Sequence, residues 1–198
     1  MAQDAAGEAA AGEWYDRANL TYTTLIDVTH QVSSLYNLVN VPSGVWIDEE
    51  GRILRINEGT YAKTHVLGNT EFGTDAYAPA VRDWVANGAD SPYVWSREQV
   101  SAKIRQRTTD EALAEPTFKL GVYFFEQGNE TLARTYWERA QQLYPDNWSF
   151  HRQDWSFIDA ASRGQRFQEK ASNYDVLGGD KPYYEPLDLP TRLAPQEP

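Results

Sequence analysis

The chain has 198 residues, with 18 Lys and Arg against 29 Asp and Glu, so its formal net charge is −11 at neutral pH. Hydrophobic residues make up 41% and aromatics 13%, enough large apolar surface for a packed core and too much for wholesale disorder. The negative charge and the lack of a Lys/Arg run argue against a nucleic-acid partner, and the absence of cysteine excludes disulfides, thiol nucleophiles, Cys-ligated zinc and iron–sulfur clusters.

Residues 1–12 are rich in Ala and Gly, without the cationic start and apolar run of an export signal, and read as a flexible leader. No stretch approaches the roughly 18 uninterrupted apolar residues of a membrane-spanning helix. The sequence leaves the compartment open, with the cytoplasm expected by the absence of an export signal. Thr21 to Asp27 is β-branched and aromatic, which suits a strand. Thr29 is placed to cap a following helix with Val32, Leu35, Tyr36 and Val39 on one side. Segments 44–48 and 52–57 flank Glu49-Glu50-Gly51 and predict a β-hairpin, with Gly where a positive φ is tolerated. A helix is expected over 75–87, presenting Ala76, Ala80, Trp84 and Val85, with Gly88 as its C-cap.

Ser96 and Gln99 have capping-box spacing for a helix running towards Arg107. Further on, Gly128 makes a turn and Asn129 caps a helix from Glu130 to Tyr144. Five of the ten prolines fall in the last 17 residues, so 178–198 reads as an extended arm. Tyr183, Tyr184, Leu187 and Leu189 in that arm suit a segment lying against a surface.

Two resemblances attach to these residues. Val39-Asn-Val-Pro-Ser-Gly-Val-Trp-Ile-Asp48 with Glu50-Gly-Arg-Ile-Leu-Arg55 resembles the second half of a thioredoxin-like domain of the TlpA/ResA-like thiol-disulfide reductases. The likeness covers about residues 13–88 and implies a cis peptide at Pro42, with the Val41 backbone beside a substrate-binding surface. That family is usually exported. Its Cys-x-x-Cys strand and helix are missing before Glu13, so another copy, another polypeptide or a longer start is expected to complete the sheet. Leu120-Gly121, Phe124, Gly128, Ala133, Trp137, Ala140 and Pro145 fall at the positions of one tetratricopeptide repeat, a helical hairpin that must dock on a neighbour to bury its apolar face.

The expected architecture is therefore α/β: a leader (1–12), a partial thioredoxin-like unit (13–90), a tetratricopeptide-like helical region (91–167) and an extended Pro-rich arm (168–198). Its chemistry is sparse. His30, His65 and His151 lack metal-ligand spacing, and His30 beside Asp27 reads as a helix-start residue. The run Asp48-Glu49-Glu50 suits a solvated turn. Asn147 to Trp155 sets Trp148, His151, Arg152 and Trp155 among aromatics, either a ligand site or a satisfied packing network. No metal or cofactor and no catalytic constellation is implied. The expectation is a redox-inactive, polypeptide-binding protein that self-associates, using Val41, Pro42 and the aromatic helical region. The competing expectation is a subunit or truncated form of a thiol-disulfide oxidoreductase whose cysteines lie outside this chain.

Overall fold

The computed structural model describes residues 1–67, 70–158 and 160–189. It is a mixed α/β structure, with eight α-helices and two separate two-stranded antiparallel sheets among the described residues. Two compact units form, each from two stretches of chain: unit 1 from 1–39 and 107–160, unit 2 from 40–106 and the chain from Ala161 onward. The division differs from the expected boundaries at 12, 90 and 167, because the residues before Val39 pack with the second helical stretch and the arm packs with the hairpin.

In unit 1, α1 (Glu8–Ala18) begins inside the stretch read as a leader and buries Ala11. The strand expected over 21–27 does not form. Among the described residues it pairs through a single bridge, in which the Ala2 amide donates to the Leu25 carbonyl at 2.9 Å and the Asp27 amide to the Ala2 carbonyl at 2.8 Å. Tyr22 and Leu25 are exposed, so the run has no apolar face to bury. α2 (Gln31–Leu35) is shorter than expected and is capped not by Thr29 but by Asp27, whose carboxylate accepts from the Gln31 and Val32 amides at 3.0 and 2.7 Å. Asn37, at φ 52°, follows the end of this helix.

α5 (Thr109–Glu126) and α6 (Glu130–Leu143) make the expected helical hairpin, with Asn129 Oδ1 accepting from the Leu132 amide and Gly128 at φ 75°. They approach so closely at Gly121 that a Cβ there would lie 2.5 Å from the Trp137 ring. α7 (Trp148–Ile158) follows, tied back to the first stretch by the Ser149 amide donating to the Val39 carbonyl. The core of unit 1 is built on Val39, Phe118, Ala133, Trp137, Tyr144 and Phe150, with Phe118 and Phe150 stacked at 4.7 Å.

In unit 2, β1 (Ser43–Ile47) and β2 (Ile53–Glu58) form the expected hairpin, closed by Gly51 at φ 78°. A bulge after Trp46 leaves Leu54 outside the ladder, and its carbonyl accepts from the Trp95 amide. A second ribbon pairs β3 (His65–Leu67) with β4 (Thr70–Phe72). α3 (Tyr77–Asn87) ends at Gly88, φ 56°; its buried side carries Ala80 against Trp46, while Val85, expected on that side, is exposed. α4 (Arg97–Lys103) carries the expected Ser96–Gln99 capping box but stops short of Arg107. α8 (Arg163–Ala171) leads into the arm, and Leu189 of the arm joins Trp46 and Ala80 in the core.

Candidate functional site

The Val41–Pro42 peptide is cis, and the loop that carries it joins the start of unit 2 to β1. Asn40, fully buried, organises it: Oδ1 accepts from the Val41 amide at 2.9 Å, while its main-chain carbonyl accepts from the Ser43 hydroxyl at 2.8 Å. The outward side of the loop is covered by the chain's own arm. The Asn40 side-chain amide donates to the Tyr183 carbonyl at 2.9 Å, and the Tyr184 hydroxyl donates to the Val41 carbonyl at 2.6 Å. The Tyr184 ring lies over Gly59, where a Cβ would be 3.0 Å from it, and Gly59 in turn donates its amide to the Pro42 carbonyl.

Beyond Tyr184 the arm is anchored by charge. Asp188 pairs with Arg55, accepts from the Trp95 indole N–H at 2.9 Å and lies 3.3 Å from the Lys103 ammonium. Burial pushes the Asp188 carboxyl up, but Arg55, Trp95 and Lys103 outweigh it and hold the group below its ordinary range. Arg55 also donates to the Tyr93 carbonyl at 2.7 Å. Asn40, Arg55, Trp95 and Asp188 were not picked out by sequence reasoning. The alternation of β2 shows Arg55 facing in the register of Trp46, yet nothing local connects it to a carboxylate 133 residues away.

The other expected binding residues belong to unit 1. Trp148, His151 and Trp155 are buried and in ring contact along one face of α7, with centroids 5.3 to 6.4 Å apart: His151 stacks on Trp155, Trp148 meets Trp155 edge-on, and the Trp148 and His151 rings are tilted. His151 Nε2 lies 3.1 Å from the Pro145 carbonyl, and Arg152 alone of this group is half-buried. His65 stacks on Tyr61 in unit 2, and among the described residues no three His, Asp or Glu side chains gather as metal ligands. At the hairpin tip Asp48 and Glu50 are tied to the exposed Arg52 at 2.7 and 2.9 Å. Among the described residues no helix is long and apolar enough to cross a membrane.

No known protein family, curated protein or solved structure matches this chain. The geometry of the Val41–Pro42 loop therefore stands as the main guide to function.

Proposed function

We propose that this chain is a non-catalytic, thioredoxin-like and helical-repeat protein that binds extended polypeptide segments at the loop of Asn40, Val41 and Pro42. The observation that supports this reading is the way the loop holds the chain's own arm. A side-chain amide reads a main-chain carbonyl of the bound segment, and a tyrosine hydroxyl of the segment reads a main-chain carbonyl of the loop. Such contacts recognise an extended peptide by its backbone, with side-chain seats adding selectivity. The lack of any sulfur nucleophile leaves the loop with no redox chemistry of its own. Self-association is the same contact made between copies, the arm of one on the loop of another, and would give multiples of 22.5 kDa in light scattering.

The test uses the full chain carrying Tyr184→Ala and Asp188→Ala, which loosen its own arm, and a fluorescent peptide of the sequence 180–189. Fluorescence anisotropy is expected to show the peptide binding at least tenfold tighter than a scrambled one. Adding Asn40→Ala should remove that preference. Equal binding of native and scrambled peptides would overturn the reading.

A further inference from the structure

Asp188 of the arm lies in a carboxylate seat whose donors all come from elsewhere in unit 2. Arg55 belongs to β2, Trp95 precedes α4 and Lys103 ends it. The two carboxylate oxygens are read separately. Oδ1 pairs with Arg55, while Oδ2 accepts from the Trp95 indole N–H at 2.9 Å and lies 3.3 Å from the Lys103 ammonium. Donors on both oxygens select a carboxylate over a side-chain amide, whose NH2 would face a donor on one side or the other.

These donors are held by neighbours that are not the arm. Arg55 Nε donates to the Tyr93 carbonyl at 2.7 Å, and Nη1 lies 3.4 Å from Asn57 Oδ1. The Arg55 guanidinium carbon and the Lys103 ammonium sit 4.6 and 4.9 Å from the centroid of the same Trp95 ring. Among the described residues Asp188 is the one carboxylate paired with Arg55. A cation whose side chain is 4% exposed needs an anion beside it, so a segment that replaces the arm must bring a carboxylate of its own. The Asp188 side chain is 33% exposed, so the seat can be reached from solvent.

Two further seats fix the register. Four residues before Asp188, Tyr184 lies over Gly59 with its hydroxyl on the Val41 carbonyl. Directly after Asp188, Leu189 is buried against Trp46 and Ala80. Pro186 has no amide to donate to a ladder, and residues 185–187 span the interval without regular structure.

We propose that segments bound at the loop of Asn40, Val41 and Pro42 carry an aromatic residue, an acidic residue four positions later and an aliphatic residue directly after it, the acid being taken by Arg55, Trp95 and Lys103. This inference rests on the polypeptide-binding reading and names the chemistry of its partner. A chain of net charge −11 repels acidic peptides in general, so acceptance of this one is the work of the local seat.

The experiment uses the full chain carrying Tyr184→Ala and Asp188→Ala with fluorescent peptides of the sequence 180–189. The decisive changes are made in the peptide, where they cannot disturb the fold. One peptide carries Asp188→Asn. Another exchanges Leu187 and Asp188, which keeps composition and charge and moves the carboxylate by one residue. Each is expected to bind at least tenfold more weakly than the native peptide in fluorescence anisotropy. Lys103→Gln in the chain, at an exposed position of the seat, should weaken the native peptide and leave the Asp188→Asn peptide unchanged. Native-strength binding of either altered peptide while the scrambled one stays weak, or an equal effect of Lys103→Gln on both peptides, would overturn the carboxylate seat and leave polypeptide binding standing. A native peptide that binds no better than the scrambled one would overturn both.

Discussion

Arg55 and Asp188 form an ion pair between the inward side of β2 and the C-terminal arm, with the guanidinium carbon 5.6 and 4.6 Å from the Trp46 and Trp95 ring centroids. The Arg55 side chain is only 4% exposed, so its charge depends on this partner and on the flanking rings. Asp188→Ala is expected to cost about 2 kcal/mol in chemical denaturation, because it strands a buried cation. An unchanged denaturation midpoint would show that the arm does not hold unit 2 together.

The same carboxylate sets an acid limit. Its folded pKa is lowered, so its stabilisation is fully present above the unfolded value, about 3.9, and is lost as pH falls through the lower folded value. The Trp95 indole N–H resonance, bonded to Asp188, should hold its position from pH 7 to about pH 5 and move only below about pH 4. Movement with a midpoint near neutrality would assign the arm's docking to another group.

Gly121 answers to packing alone. Its Cβ would meet Trp137 at 2.5 Å and the Ala133 carbonyl at 3.0 Å, neither of which moves freely in the hairpin core. Gly121→Ala is expected to destabilise the chain by about 1–3 kcal/mol despite the better helix propensity of alanine. A stabilised variant, measured by thermal or urea unfolding, would contradict the close approach of α5 and α6.

The start of α2 separates two neighbouring polar residues. Asp27→Ala removes both amide acceptors and should cost about 1 kcal/mol, whereas Thr29→Ala should be near neutral, since Asp27 makes both cap bonds. Reversed magnitudes in urea denaturation would restore the cap to Thr29.

These residues also show what can be read from sequence and what cannot. Caps and turns are short-range devices: Ser96 with Gln99, Asn129, Gly51 and Gly88 act within a few residues of themselves, and each is where its local pattern places it. Thr21 to Asp27 has strand composition, but a strand needs a partner, and Ala2 offers a single bridge. The α7 segment advertises its Trp148, His151 and Trp155 side through aromatic content. A cavity of unit 1 lies on its other side, that of Ser149 and Phe157, and takes shape only from walls supplied by residues 28–34 and α5. Asn40 and Asp188 matter through partners more than 130 residues away, which no local spacing encodes.

The two units alternate along the chain, first, second, first, second, with crossings after Val39, Gln106 and Ala160. During synthesis, residues 1–39 must wait for 107–160 before their core can close, and the hairpin made from 43 to 58 must wait for Leu189. A single protease cut at the Gln106–Arg107 junction would therefore not release either unit. Each half of the cut chain would keep hold of the other through contacts such as Arg107 with Ser34 in unit 1 and Asn40 with Tyr183 in unit 2. Such a nicked protein should run as two fragments in denaturing gels and as one particle in native ones.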